Sequence, residues 1–199
     1  FSFSSKKIST IKNKKLNWNV KVIDTGVNTN TAGRLYKIRD LLNNQNPFFV
    51  TYGDSLCNVN IEKQMKEHKK NKKIGTITAV KSNQLYGLLK INENKNLSFI
   101  EKPQNDNEFI NGGFYIFEKT IFKLINNSKL SLEESVIPSL IKMKQLSPFV
   151  HNDFWHPMDN MSQKISLEKI LKSKKIYKNE SFSYRAQWLH WLYSSKNTY

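Results

Sequence analysis

Pro47-Phe48-Phe49-Val50-Thr51-Tyr52-Gly53-Asp54 is the stretch on which the reading of this chain turns. Its apolar run, Pro47 to Val50, is short and sharply bounded, the pattern of a buried strand. A carboxylate at the carboxyl end of such a strand lies where open α/β sheets hold their ligands. Gly53, just before it, lacks the Cβ that would keep a phosphate-bearing ligand off the backbone. Gly-Asp is also an ordinary turn pair, so the position after a buried strand carries the functional reading. Far downstream, Phe154-Trp155-His156-Pro157-Met158-Asp159 offers a second isolated carboxylate in an aromatic frame. Two carboxylates facing one cleft can hold Mg²⁺ against phosphate oxygens, which makes Asp54 and Asp159 a candidate metal pair.

Periodicity outward from this stretch predicts alternating elements. Strands are expected over 20–24, 47–52, 74–80 and 110–117, and helices over 34–42, 61–70, near 119–126, 133–144 and 162–171, the last capped by Ser162. Residues 86–91 and 97–100 read as a hairpin across the polar turn 92–96. Strands alternating with helices, plus one hairpin insertion, argue for an α/β fold built on a mostly parallel mixed sheet. No internal repeat or Pro/Gly/Ser linker appears, so residues 1–180 are expected to form one domain.

At 199 residues the chain can bury one good core. Mean hydropathy is −0.59, and no apolar run reaches the length of a membrane span. One cysteine, Cys57, excludes an internal disulfide framework and fits a reducing cytoplasm. The start, Phe1-Ser2-Phe3, has neither an initiator Met nor a signal-peptide pattern, so the true beginning of the protein is expected upstream. Net charge is +16, which raises the question of a nucleic-acid partner. The lysines are spread through polar stretches such as 67–73 and 172–175 without interleaved aromatics. Codon composition therefore explains them better than a nucleic-acid face. His68, His151, His156 and His190 show no metal-ligand spacing, and no G-x-S-x-G elbow surrounds Ser55.

Three further motifs carry chemistry, each with a plainer alternative. Asn30-Thr31-Ala32-Gly33-Arg34 leads into a helix whose first N–H groups could meet an anion with Arg34 beside them; a turn capped by Thr31 is the alternative. Glu101-Lys102-Pro103 closes a strand, with Lys102 stiffened for a phosphate or simply solvated. Asn111-Gly112-Gly113 weakens a strand, which suits close approach of a sugar hydroxyl or a β-bulge.

Taken in order, Asp24-Thr25-Gly26, Gly33-Arg34-Leu35, Thr51-Tyr52-Gly53-Asp54, Tyr86-Gly87, Glu101-Lys102-Pro103, Asn111-Gly112-Gly113-Phe114 and Phe154 to Asp159 form a pattern. It resembles the sugar-phosphate nucleotidyltransferases, nearest their branch acting on CTP and glucose 1-phosphate, from about Trp18 to Lys178. The resemblance implies a Rossmann-like sheet with Asp54 and Asp159 as Mg²⁺ ligands. It implies nucleotide contacts from Thr29, Arg34 and Gly53, and sugar-phosphate contacts from Gly87, Glu101, Lys102 and Asn111. Lys102 and Arg34 would be the catalytic cations. The implied reaction gives CDP-glucose and pyrophosphate for surface-polysaccharide deoxysugars, in the cytoplasm. No membrane partner is implied, and a homo-oligomer is compatible with the pattern.

The chain departs from the family in lacking its glycine-rich loop, G-G-x-G-T-R-L, with a following lysine. The expectation is a fold without its N-terminal βα units, half a site, and little or no activity from this chain alone. Ser55 and Ala32 stand where the family usually has glycine. Residues 181–199 fall outside the pattern, and two readings stay open for them. One is a surface or partner-binding helix built on Trp188, Leu189, Trp191, Leu192 and Tyr193. The other is frame-shifted translation of a glycine-rich dinucleotide-binding turn.

Overall fold

The apolar run does form a strand, but not the buried one expected: only Phe48 is buried, Phe49 and Thr51 are exposed and Val50 is half-buried. Strands and helices alternate around it, with further strands over 9–13 and 146–151 that periodicity did not predict. The computed structural model describes residues 9–13, 18–42, 45–81, 88–91, 97–100 and 109–173. The strands are β1 (Ser9–Asn13), β2 (Trp18–Val22), β3 (Phe48–Thr51), β4 (Ser55–Cys57), β5 (Gly75–Lys81), β6 (Leu88–Ile91), β7 (Leu97–Ile100), β8 (Phe109–Phe117), β9 (Leu146–His151) and β10 (Trp155–Pro157). The α-helices are α1 (Thr31–Ile38), α2 (Ile61–Asn71), α3 (Ile137–Lys142) and α4 (Met161–Lys172). The chain divides into two compact units, one of Phe1–Phe48, Lys73–Gly75 and Phe117–Leu146, the other of Phe49–Lys72, Thr76–Ile116 and Ser147–Tyr199.

In the first unit, β1 and β2 pair antiparallel, Ser9 opposite Val22 and Asn13 opposite Trp18. Helix α1 starts at Thr31, three residues before the expected boundary, because Asn30 caps it: Asn30 Oδ1 accepts from Thr31 N at 2.7 Å. Thr31, the expected cap, instead accepts from Leu132 N at 2.8 Å and donates to Glu133 at 3.2 Å. Backbone carbonyls take up the rest of the helix start. Asn30 N donates to Ser128 O at 3.0 Å, and Ala32 N and Gly33 N donate to Leu130 O at 3.1 and 3.3 Å. Phe48 stacks on Phe122 with centroids 5.7 Å apart and tilts against Phe117 at 6.3 Å. The segment 119–126 is a 3₁₀ turn over Lys119–Leu124, and 133–144 resolves into a π turn, Leu132–Val136, followed by α3.

The second unit is built on the four-stranded sheet, in the order β3-β8-β5-β9. Because β3 and β5 are not neighbours, the connection through α2 crosses over the inserted β8. Strand β8 is central, and Tyr115 and Ile116 are fully buried, as expected for a strand covered on both faces. Helix α2 turns Gln64 and His68 inward rather than an apolar stripe. Gln64 Nε2 donates to Thr78 Oγ1 at 2.8 Å, and His68 Nδ1 lies 2.8 Å from Thr76 Oγ1. All four residues are buried, so their hydrogen bonds stand in for the missing apolar contact.

Two short antiparallel ladders complete the described strands, β6 with β7 as the expected hairpin and β4 with β10. The second is what positions the site. Its three-residue strand β4 alternates, so Leu56 packs with Leu167, Phe154 and Met158, while Cys57 joins Val59, Phe149, Phe114 and Trp155. Among the described residues, no helix is long and apolar enough to cross a membrane.

Candidate active site

The second unit brings the two predicted carboxylates to one end of the β4–β10 ladder. The register sets Pro157 opposite Ser55, so Met158 meets Asp54, and Met158 N donates to Asp54 O at 2.7 Å. Asp159 is the next residue. Antiparallel spacing plus one peptide step puts the Cα atoms of Asp54 and Asp159 within about 9 Å, a span two aspartates can close on one ion. Both are exposed, and among the described residues neither carboxylate makes a hydrogen bond or an ion pair.

Their backbones are fixed from opposite directions. Tyr52 N donates to Gly113 O at 3.2 Å, which ties the segment ahead of Asp54 to β8. A Cβ built at Gly53 would meet nothing within 4 Å, so the space beside that backbone is open and does not itself require glycine. Asp159 precedes α4, whose cap is Asn160 rather than the expected Ser162. Asn160 Oδ1 accepts from Gln163 N at 3.0 Å, and Gln163 Oε1 returns to Asn160 N at 3.3 Å and Asp159 N at 2.8 Å. The sequence signal was present in Asn160-x-x-Gln163, two residues ahead of the expected boundary.

Asn111 lies in β8, exposed, and its amide is engaged inside the strand. Its Nδ2 donates to Tyr115 Oη at 2.5 Å and its Oδ1 accepts from Gly113 N at 3.0 Å. Gly113 has φ +75°, a left-handed bend that justifies glycine there. Trp155 Nε1 donates to Gly112 O at 2.9 Å, linking β10 to this bend, a contact the sequence reading missed. Cys57 is buried, and burial pushes its thiol up to about 12, which excludes it as a nucleophile at neutral pH.

In the first unit, Thr29 and Arg34 share a polar cluster with Lys37, which had not been singled out. Thr29 is buried, and its hydroxyl donates to Thr25 O at 2.5 Å while accepting from Lys37 Nζ at 2.9 Å. Lys37 Nζ also donates to Thr25 O at 2.7 Å, and Arg34 Nη1 to Thr25 Oγ1 at 2.6 Å. Arg34 is exposed and keeps most of its five donors free of these bonds. The N–H groups at the start of α1 do not face a ligand, contrary to one reading of the motif, because Asn30 and the 128–130 backbone occupy them. Gly87, Glu101 and Lys102 lie outside the described residues, as does the tail 181–199. No group of three or more metal-ligating side chains occurs among the described residues.

The α/β unit with a Gly-Asp turn after an edge strand belongs to a chain that matches known proteins. The model of the nucleotidyl transferase family matches residues 4–164, and the chain belongs to that family. It is 34% identical over 158 residues to glucose-1-phosphate cytidylyltransferase of Salmonella typhimurium, covering 79% of this chain and 62% of the relative. It is also 34% identical over 170 residues to mannose-1-phosphate guanylyltransferase catalytic subunit beta of Dictyostelium discoideum, covering 81% of this chain and 47% of that protein. The crystal structure of HddC from Yersinia pseudotuberculosis superposes with a TM-score of 0.59 at 22% identity, over 80% of this chain and 70% of that one, which shows the shared Rossmann-like fold. The chain spans about three fifths of the length of the cytidylyltransferases it matches.

Proposed function

We propose that this chain is the part of a sugar-phosphate nucleotidyltransferase that carries the paired carboxylates, acting on CTP and glucose 1-phosphate. The observation that supports it most is the β4–β10 register, which sets Asp54 and Asp159 at one ladder end, exposed and unpaired. Such donors fit Mg²⁺, a hard ion that takes one or two carboxylates and fills its other positions with water and phosphate oxygens. Bound there, the ion would draw negative charge from the phosphate oxygens at the reacting centre.

In the reaction, a phosphate oxygen of glucose 1-phosphate attacks the α-phosphorus of CTP. The bond from that phosphorus to the oxygen bridging the α- and β-phosphates breaks, pyrophosphate leaves, and CDP-glucose forms without a covalent enzyme intermediate. The protein's work is in-line positioning and neutralisation of charge. On this reading Arg34, Thr29 and Gly53 hold the nucleotide, and Gly87, Glu101, Lys102 and Asn111 the sugar phosphate, with Lys102 at its charge. Residues 1–180 make up the family part, and 181–199 stand outside it. The equal identity to a mannose-1-phosphate guanylyltransferase makes GTP the competing nucleotide.

Calorimetric titration of CTP and GTP into the chain, with and without Mg²⁺, tests the reading. CTP should bind more tightly, Mg²⁺ should strengthen binding, and Asp54→Asn or Asp159→Asn should each remove the Mg²⁺ effect. Nucleotide binding indifferent to both carboxylates refutes the site. Preference for GTP refutes the substrate.

A further inference from the structure

Around the bend at Gly112 and Gly113, nearly every polar group has a partner within the second unit. Gly112 O accepts from Trp155, Gly113 N donates to Asn111, and Gly113 O accepts from Tyr52. The exception is Ser55, whose Oγ is buried and has no hydrogen-bond partner among the described residues. It lies 3.7 Å from where a Cβ on Gly113 would sit, and its residue directly follows Asp54. Pro157, opposite it in the ladder, has no N–H to offer. An unmatched buried hydroxyl is destabilising, and native proteins rarely keep one without use.

Resting on the function proposed above, we infer that Ser55 is a ligand-binding residue that donates a hydrogen bond to a phosphate oxygen held at Asp54. Two residues before it, a Cβ at Gly53 would meet nothing within 4 Å, so the backbone there is open to a ligand, and the hydroxyl has other staggered positions it can take when one binds. A serine hydroxyl is a donor that an anionic oxygen satisfies, whereas glycine, which the family usually has here, offers none. The phosphate can belong to the nucleotide or to the sugar phosphate.

Three chains decide it: wild type, Ser55→Ala and Ser55→Thr. Each is titrated separately with Mg²⁺–CTP and with glucose 1-phosphate, and its thermal unfolding is measured without ligand. Ser55→Ala should weaken binding of one of the two ligands about tenfold, the loss expected for one hydrogen bond to a charged group. The ligand that weakens identifies the phosphate. The melting temperature should hold or rise, since an unpaired hydroxyl has been removed, and Ser55→Thr should keep the affinity. Unchanged affinity with a higher melting temperature overturns the proposal and leaves Ser55 merely unpaired. Unchanged affinity with a lower melting temperature overturns it too, pointing to a buried water as the partner. A wild-type chain that binds neither ligand refutes the proposed function itself, and this inference falls with it.

Discussion

Gly33→Ala isolates one physical claim, that the start of α1 is pressed against the backbone of the 128–130 segment. A Cβ at Gly33 would sit 2.2 Å from Ser128 O and 2.6 Å from both Ser128 C and Cα. These are backbone atoms, so no rotamer change relieves the clash. Reaching ordinary contact requires a separation of roughly 1 Å, enough to break hydrogen bonds already at 3.0 to 3.3 Å from Asn30, Ala32 and Gly33. Three such bonds at about 1 kcal/mol each, less about 1 kcal/mol gained from alanine's helix propensity, leave a net loss of about 2 kcal/mol. For a chain of this size that lowers the melting temperature by about 4–8 °C. Urea unfolding followed by circular dichroism measures it, with the midpoint expected to fall at constant slope. A variant as stable as wild type, or more stable, would refute the close approach, because propensity alone favours alanine.

Other perturbations test other parts of the molecule. Gln64→Ala should destabilise by about 1–3 kcal/mol by leaving Thr78 Oγ1 buried and unmatched, and Thr78→Val in the same chain should recover part of that loss. A double-mutant cycle with no coupling would show that the bond contributes nothing. Asn160→Ala removes the side-chain half of the capping box, the bond from Gln163 N, while its backbone N–H still reaches Gln163 Oε1; it should cost about 1 kcal/mol in chemical unfolding and also weaken Mg²⁺-dependent nucleotide binding through Asp159. Cys57 should resist a disulfide reagent at pH 8 in the folded chain and react at once in denaturant. Its folded pKa is raised from 9.0 to about 12, so its contribution to stability is complete below pH 9 and is lost as pH climbs from 9 toward 12. Unfolding midpoints that rise over that window, with other groups controlled by Cys57→Ser, would contradict the assignment.

The features legible from the residues were those with a strong local cause. The apolar run into Gly53-Asp54 reported both a strand and an open turn, and the alternation near 110–117 reported β8. Helix α2 was placed by Ile61 and the residues after it, yet its buried face could not be read, because Gln64 and His68 look like solvent residues until Thr76 and Thr78 are known to face them. Strands β1 and β9 were not expected, and β4 and β10 escaped because three residues hold no measurable period; only pairing across the chain defines those two. The starts of α1 and α4 were misplaced for one reason. In both, asparagine stood just ahead of a threonine or serine that also caps well, and only hydrogen-bond geometry chooses between them. Asp54 and Asp159 were singled out from sequence, but that their backbones meet at one ladder end depends on the β4–β10 register, which no local pattern encodes.

That register also has a consequence for how the molecule is made. Ser55 belongs to the first third of the chain and Pro157 to its last quarter, so the ladder end proposed to hold the ion is assembled by a contact of long sequence separation. Such contacts close late, after the entropy of a long intervening loop has been overcome. A nascent chain still lacking β10 would hold Asp54 without its counterpart. If the proposed site holds magnesium, ion capture would therefore report completed folding, because the pair forms only once β10 has docked on β4.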